Sequence, residues 1–183
     1  MTTSARPNRG PAAAAENRAA IIRAAGEVFS EQGLDAPLNA IAKRAGVGQG
    51  SLYRHFPTRG AIAGAAFDAN VADIEQLVAD GGTLAEVLRL VEEQATSSPA
   101  LIDVTLHHSG EARAANLQER MVAVIEATLP AGRAAGTVPE HFTADDVMLC
   151  VRLVASALTE SSLDERVPLV HRAWQLLGVR LPE

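Results

Sequence analysis

The run from Leu38 to Arg59, LNAIAKRAGVGQGSLYRHFPTR, leaves the least freedom in how this chain can fold. Leu38, Ile41, Ala42 and Ala45 stand at offsets 0, 3, 4 and 7, so they share one face of a helix. Gly46 follows at the point where a helix ends most cheaply, because glycine enters the left-handed region without a Cβ penalty. Val47 is the one apolar residue of the turn. Gln49 to Phe56 forms a second short helix, with Leu52 and Phe56 directed inward. Pro57 stops it, since the residue before a proline avoids helical angles. Two short helices joined by so tight a turn make a helix-turn-helix. It leaves Gln49, Gly50, Ser51, Tyr53, Arg54 and His55 on or near an exposed face.

The rest of the chain is expected to be helical as well, giving an all-α protein of about nine helices. Alanine and leucine are abundant, aromatic residues make up 3%, and no strand-like alternation appears. The first helix runs from Ala12 to Gln32, with Ile21, Ala25, Val28 and Phe29 as its inner stripe. The fourth is capped by Thr58, carries Arg59 in its first turn and runs to about Asp80. A fifth follows Gly81-Gly82, starting at Thr83 and running to about Thr96. Residues 100–108, ALIDVTLHH, are a short helix or turn. Later helices run from Glu111 to about Arg133, from Thr143 to Thr159, and from Asp164 to Gly178. The Thr-x-x-Asp at 143–146 suits a capping box.

Charge divides the chain. Residues 1–60 hold eight basic and four acidic residues, and residues 61–183 hold eight basic and eighteen acidic, within a net charge of −6. A basic amino-terminal module on an acidic body suits a phosphate-binding head with a separate sensing part. The single cysteine, Cys150, excludes an intrachain disulfide and fits a reducing cytoplasm. Met1 to Pro11 lacks the apolar core of a signal peptide, and no apolar run reaches membrane-spanning length. A cytoplasmic protein is expected.

Three pieces, IIRAAGEVFSEQG (21–33), IAKRAGVGQGSLYRHF (41–56) and PTR (57–59), resemble the tetracycline-repressor (TetR) family of bacterial regulators. The likeness spans about Asn17 to Phe67. Two positions depart from it: Pro37 stands where the family often has a capping Thr, and Gly60 where it often has Glu. The resemblance implies a DNA-binding regulator, in most cases a repressor that answers to a small molecule and binds a pseudopalindromic operator as a homodimer. An activator, a ligand-independent regulator and a helical protein-interaction module are the alternatives.

On that basis the chain divides into an arm (1–11), a DNA-binding domain (12–73, motif about 37–56) and an effector-binding and dimerisation domain (74–183). Asn39, Lys43 and Arg44 face outward on the second helix, where amide and guanidinium groups suit adenine and guanine or phosphate. Gln49 is the expected base reader. Gly50 permits close backbone approach, and Ser51 bonds phosphate or base. The resemblance gives Tyr53 and His55 phosphate contacts. Arg59, with the free amides of the fourth helix, is expected to clamp a phosphate.

In the body, Leu106, Met121, Ile125, Met148 and Val151 are candidate pocket walls for an unidentified effector, with His107, Arg113 or Arg152 as polar anchor. The last helix is apolar over more than half of its circumference, so it needs two partners, its own core and another chain. The resemblance implies that the last two helices of each chain build a four-helix homodimer interface. Val154, Leu158, Val167, Val170, Trp174 and Leu177 are the expected dimer contacts. Glu92-Glu93 and Asp145-Asp146 read as solvated faces. No His-x-x-x-His, Cys-x-x-Cys, Gly-x-Ser-x-Gly or phosphate-cradling glycine loop occurs, so no metal, cofactor or catalytic site is expected.

Overall fold

The computed structural model of the chain describes residues 11–97, 111–159 and 161–182. Eight helices carry these residues: α1 (Pro11–Gln32), α2 (Leu38–Arg44), α3 (Gln49–His55), α4 (Arg59–Ala79), α5 (Leu84–Ser97), α6 (Glu111–Ala134), α7 (Ala144–Thr159) and α8 (Leu163–Leu176). The expected arm and the short element at 100–108 lie outside the described residues, apart from Pro11, which opens α1.

Most helix ends are written in the sequence. Gly46 takes φ of 68°, the Gly46 N–H donates to Lys43 O, and the Val47 N–H donates to Ala42 O at 3.0 Å. This pair of bonds closes α2 and turns the chain into α3. Thr58 Oγ1 accepts from the Ala61 N–H at 3.1 Å and starts α4. Reciprocal capping pairs open three later helices. The N–H of Thr83 donates to Glu86, that of Thr143 to Asp146 and that of Ser162 to Glu165. These bonds hold the three carboxyls below their ordinary range, chiefly through the capping backbone N–H for Glu86 and Asp146 and the Ser162 hydroxyl for Glu165. Pro130 falls within α6, which runs on to Ala134.

The buried apolar residues form two clusters. The smaller gathers Ile21, Val28 and Phe29 of α1, Ile41 of α2, Leu52 and Phe56, and Ile62 to Ala66 of α4. Alanine supplies much of the remainder, so α1, α2 and α4 approach closely. The larger unites Val71 and Ile74 of α4 with α5, α6, α7 and α8. Phe67 packs against both. Helix α4 therefore begins in one core and ends in the other. Its carboxyl-terminal half packs against α5 and α6, and its amino-terminal half packs against α1.

Candidate nucleic-acid interface

Helix α3 is held from behind. Leu52 is 1% exposed, Phe56 is 3% exposed, and the Arg18 guanidinium lies 5.1 Å from the centre of the Phe56 ring. The opposite side is open. Gln49, Gly50 and Tyr53 are exposed, Tyr53 by 51%, and Ser51 and His55 are half-buried. Gly48 precedes the helix in an extended conformation, without a side-chain cap. Asn39 and Lys43 are exposed on α2. The surface thus presents an amide, hydroxyls, an imidazole and an ammonium from two short helices, with little apolar area.

Three arginines near this surface are committed within the chain. Arg44 donates to Glu27 at 2.9 Å and, through two nitrogens, to Glu31 at 3.0 and 2.8 Å. It ties α2 to α1 instead of projecting as a free cation. The bond from Arg44 is the main cause that lowers the Glu31 carboxyl below its usual range. Arg59, read from the sequence as a phosphate clamp, is half-buried and donates to the carbonyls of Leu34 and Ala36. It fixes the loop between α1 and α2. The reason is local: the α1–α2 loop has carbonyls without helical partners, and the first turn of α4 passes beside them. Arg54 donates to Gly50 O at 3.1 Å and lies along its own helix.

Among the expected pocket residues, Met121, Ile125 and Met148 are buried in the larger core, and Val151 and Arg152 are half-buried. Leu106 and His107 lie outside the described residues, as does the side chain of Arg113.

The expected partner-facing set divides. Val154, Leu158, Val170 and Trp174 are 0–3% exposed within the chain's own core. Leu177 is half-buried and Val167 is 50% exposed. Among the described residues, the large apolar side chains that α7 and α8 leave in solvent are Leu149, Leu153, Val167 and Leu176, between 48% and 71% exposed. Periodicity located the apolar helices but not which stripe faces inward, because both stripes are apolar.

Glu92 corrects a further expectation. It is not a solvated residue: its side chain is 12% exposed, and it accepts from the Trp174 indole at 3.1 Å and lies 3.0 Å from His171 Nε2. The only tryptophan in the chain needed an acceptor for its buried N–H, and that requirement was the available signal. These groups border a surface groove of about 720 Å³ between α5, α8 and residues 178–182.

Two comparisons bear on this geometry. The profile described as bacterial regulatory proteins, tetR family, matches residues 21–66, which run from the second half of α1 through the first third of α4. A TetR transcriptional regulator from Streptomyces coelicolor, known from its crystal structure, is 32% identical over 91% of this chain and 99% of its own, with a TM-score of 0.65. The chain belongs to the TetR family of bacterial regulators. A TetR regulatory protein from Mycobacterium vanbaalenii is 29% identical, over 80% of this chain and 97% of its own, with a TM-score of 0.59. The FadR transcriptional regulator from Bacillus subtilis, solved in complex with stearoyl-CoA, shares the fold at 23% identity and a TM-score of 0.55, over 88% of this chain and 99% of its own. No curated protein matches the sequence. As a TetR-family protein the chain is a DNA-binding transcriptional regulator. Among the described residues no helix is long and apolar enough to cross a membrane.

Proposed function

We propose that this TetR-family regulator is a cytoplasmic repressor, without catalytic activity, that binds a pseudopalindromic operator as a homodimer and releases it on binding a small molecule. The open polar face of α2 and α3 carries the proposal. Gln49 reads a base edge, Gly50 and Ser51 allow the backbone to approach, and Tyr53, His55, Lys43 and Asn39 set the register on phosphates. Arg44 and Arg59 brace this surface from behind. The second chain covers Leu149, Leu153, Val167 and Leu176, because an apolar stripe on two adjacent helices is unfavourable in water. Twofold symmetry then places two α3 helices in successive major grooves. The effector enters between α6 and α7, beside Met121 and Met148, whose flexible thioethers adapt to an apolar ligand. The passage of α4 from the smaller core, through Phe67, into the larger core at Val71 and Ile74 supports a division into two domains within this helix, taken at about residue 73.

Selection of bound DNA from a random pool tests this proposal. Wild type is expected to enrich an inverted repeat, with affinity falling steeply as salt rises. Gln49→Ala should relax one base position in each half-site, at a cost of about 1–3 kcal/mol per base. Tyr53→Phe should weaken all sequences alike. A folded wild-type protein that enriches no sequence, or that binds without salt dependence, would sink the proposal. Leu153→Glu should convert a dimer to monomers in sedimentation.

A further inference from the structure

Arg120 stands midway along α6 and reaches across to α4. Its Nε and Nη2 donate to Glu75 Oε1 and Oε2 at 2.8 and 2.7 Å, and its Nη1 donates to Asp68 Oδ1 at 2.5 Å. Asp68 and Glu75 are two helical turns apart on one face of α4, so a single guanidinium spans both turns. The Arg120 side chain is 26% exposed, against 45% for Asp68 and 39% for Glu75. The fork thus sits in the seam between the helices, with its carboxylates toward the rim. The hydrogen bond from Arg120 is also the largest cause that depresses the Glu75 carboxyl, so the pair stays ionised through the neutral range.

The position of this clasp on α4 gives it a consequence. Phe67, which packs against both cores, immediately precedes Asp68. On the amino-terminal side, Ile62 to Ala66 belong to the smaller core. On the other side, Val71 and Ile74 belong to the larger one. The clasp therefore grips α4 just where it enters the body. Apolar contacts there resist separation, but they are non-directional and permit rotation and sliding. A bidentate guanidinium–carboxylate fork has a fixed plane, and a second carboxylate two turns away fixes the axial rotation as well.

We infer that Arg120 is a positioning residue for DNA recognition: by clasping Asp68 and Glu75 it sets the angle at which α4 carries the helix-turn-helix away from the body. From Val71 back to Arg59, α4 spans about 18 Å at ~1.5 Å per residue. A tilt of roughly 10° about Val71 moves the far end by about 3 Å. In a dimer that displacement counts against the spacing of two half-sites, which must match a helical turn of DNA.

The inference rests on the DNA-binding reading, but its test has an arm that does not. Spin labels at Arg23→Cys on α1 and Glu126→Cys on α6, in a Cys150→Ala background, report the distance between head and body within one chain. Labelled chains are diluted into unlabelled ones, so that only intrachain distances count. Arg120→Met and Glu75→Gln should shift or broaden this distribution by about 3 Å, the lever displacement of α4. Arg120→Lys, which keeps the charge but lacks the fork, should not restore it. Unchanged distributions in folded variants would overturn the inference. In the second arm, operators with altered spacers are compared. Arg120→Met should lower the preference for the best spacer by about five-fold or more while the half-site sequence stays the same. A shifted distance with undiminished spacer preference would also overturn it. If wild type selects no DNA, the functional proposal fails, and the distance measurement still decides whether the clasp sets the angle.

Discussion

The two cores of this molecule are built on different economies of size. The smaller one packs Ala24, Ala25, Ala36, Ala42, Ala63, Ala65 and Ala66 around Phe29, Leu52, Phe56 and a few isoleucines. Short helices gain close contact there through small side chains, and a few large ones supply most of the buried area. The larger core relies on Leu, Val, Ile and Met from five helices. Its volume is shared among many similar side chains, so single positions are less constrained. A core of the first kind needs particular residues at particular places. One of the second kind needs only apolar residues of about the right size.

A pair of truncations should separate the two most strongly. Phe29→Ala leaves a cavity that its neighbours cannot fill and should cost about 3–5 kcal/mol. Leu88→Ala, in the larger core, should cost about 2–5 kcal/mol. The single Trp174 is in the larger core, so its fluorescence follows that core, while DNA binding follows the smaller one. Phe29→Ala should abolish DNA binding at a denaturant concentration where tryptophan emission is still native. Loss of both signals together would show that the cores unfold as one unit.

Glycine substitutions sharpen the contrast at lower cost. A Cβ on Gly132 would lie 2.4 Å from Leu84 Cδ2, so Gly132→Ala forces α5 and α6 apart and should cost about 1–3 kcal/mol through packing. A Cβ on Gly46 meets nothing within 4 Å, but φ is 68°, so Gly46→Ala should cost about 1–2 kcal/mol through the backbone alone. Denaturant melts should rank the two in that order.

The smallest effect is that of pH. Glu75, Glu86, Asp146 and Glu165, all in the body, have carboxyls held below their ordinary values, as does Glu31 beside Arg44. Each binds its proton more weakly folded than unfolded. Each therefore contributes stability above the unfolded value, near pH ~4 for Asp and Glu, and that contribution is lost as pH falls through the lower folded value. The melting temperature followed by Trp174 should hold level at neutral pH and decline below about pH 5. A rise in that range would contradict the capping assignments.

The same contrast explains how far the sequence could be read. The turn at Gly46, the inward Leu52 and Phe56, the cap at Thr58 and the Thr143–Asp146 pair were legible because each depends on residues a few positions apart. Helix boundaries in the body followed from periodicity and from paired glycines. The intrachain partners of Arg44, Arg59 and Glu92 were not legible because they lie 13 to 82 residues away. A charged side chain on a helix looks the same in sequence whether it meets water, phosphate or a carboxylate on the next helix. The inward stripe of α7 and α8 was ambiguous for a similar reason, since Leu149 and Leu153 are as apolar as Val154 and Leu158.

Phe67 carries one more consequence. Substitutions more than about 7–10 Å apart normally add in their effects. A ring that touches both cores is an exception built into the fold, because a change of its packing on one side alters the space left on the other. Among the described residues the half-buried Phe67 is the apolar side chain shared by both clusters, so paired changes beside it, one in each core, should show non-additivity that disappears when Phe67 is made alanine. For a lineage of such proteins, one aromatic side chain would then decide whether the DNA-reading and sensing halves drift independently or must change together.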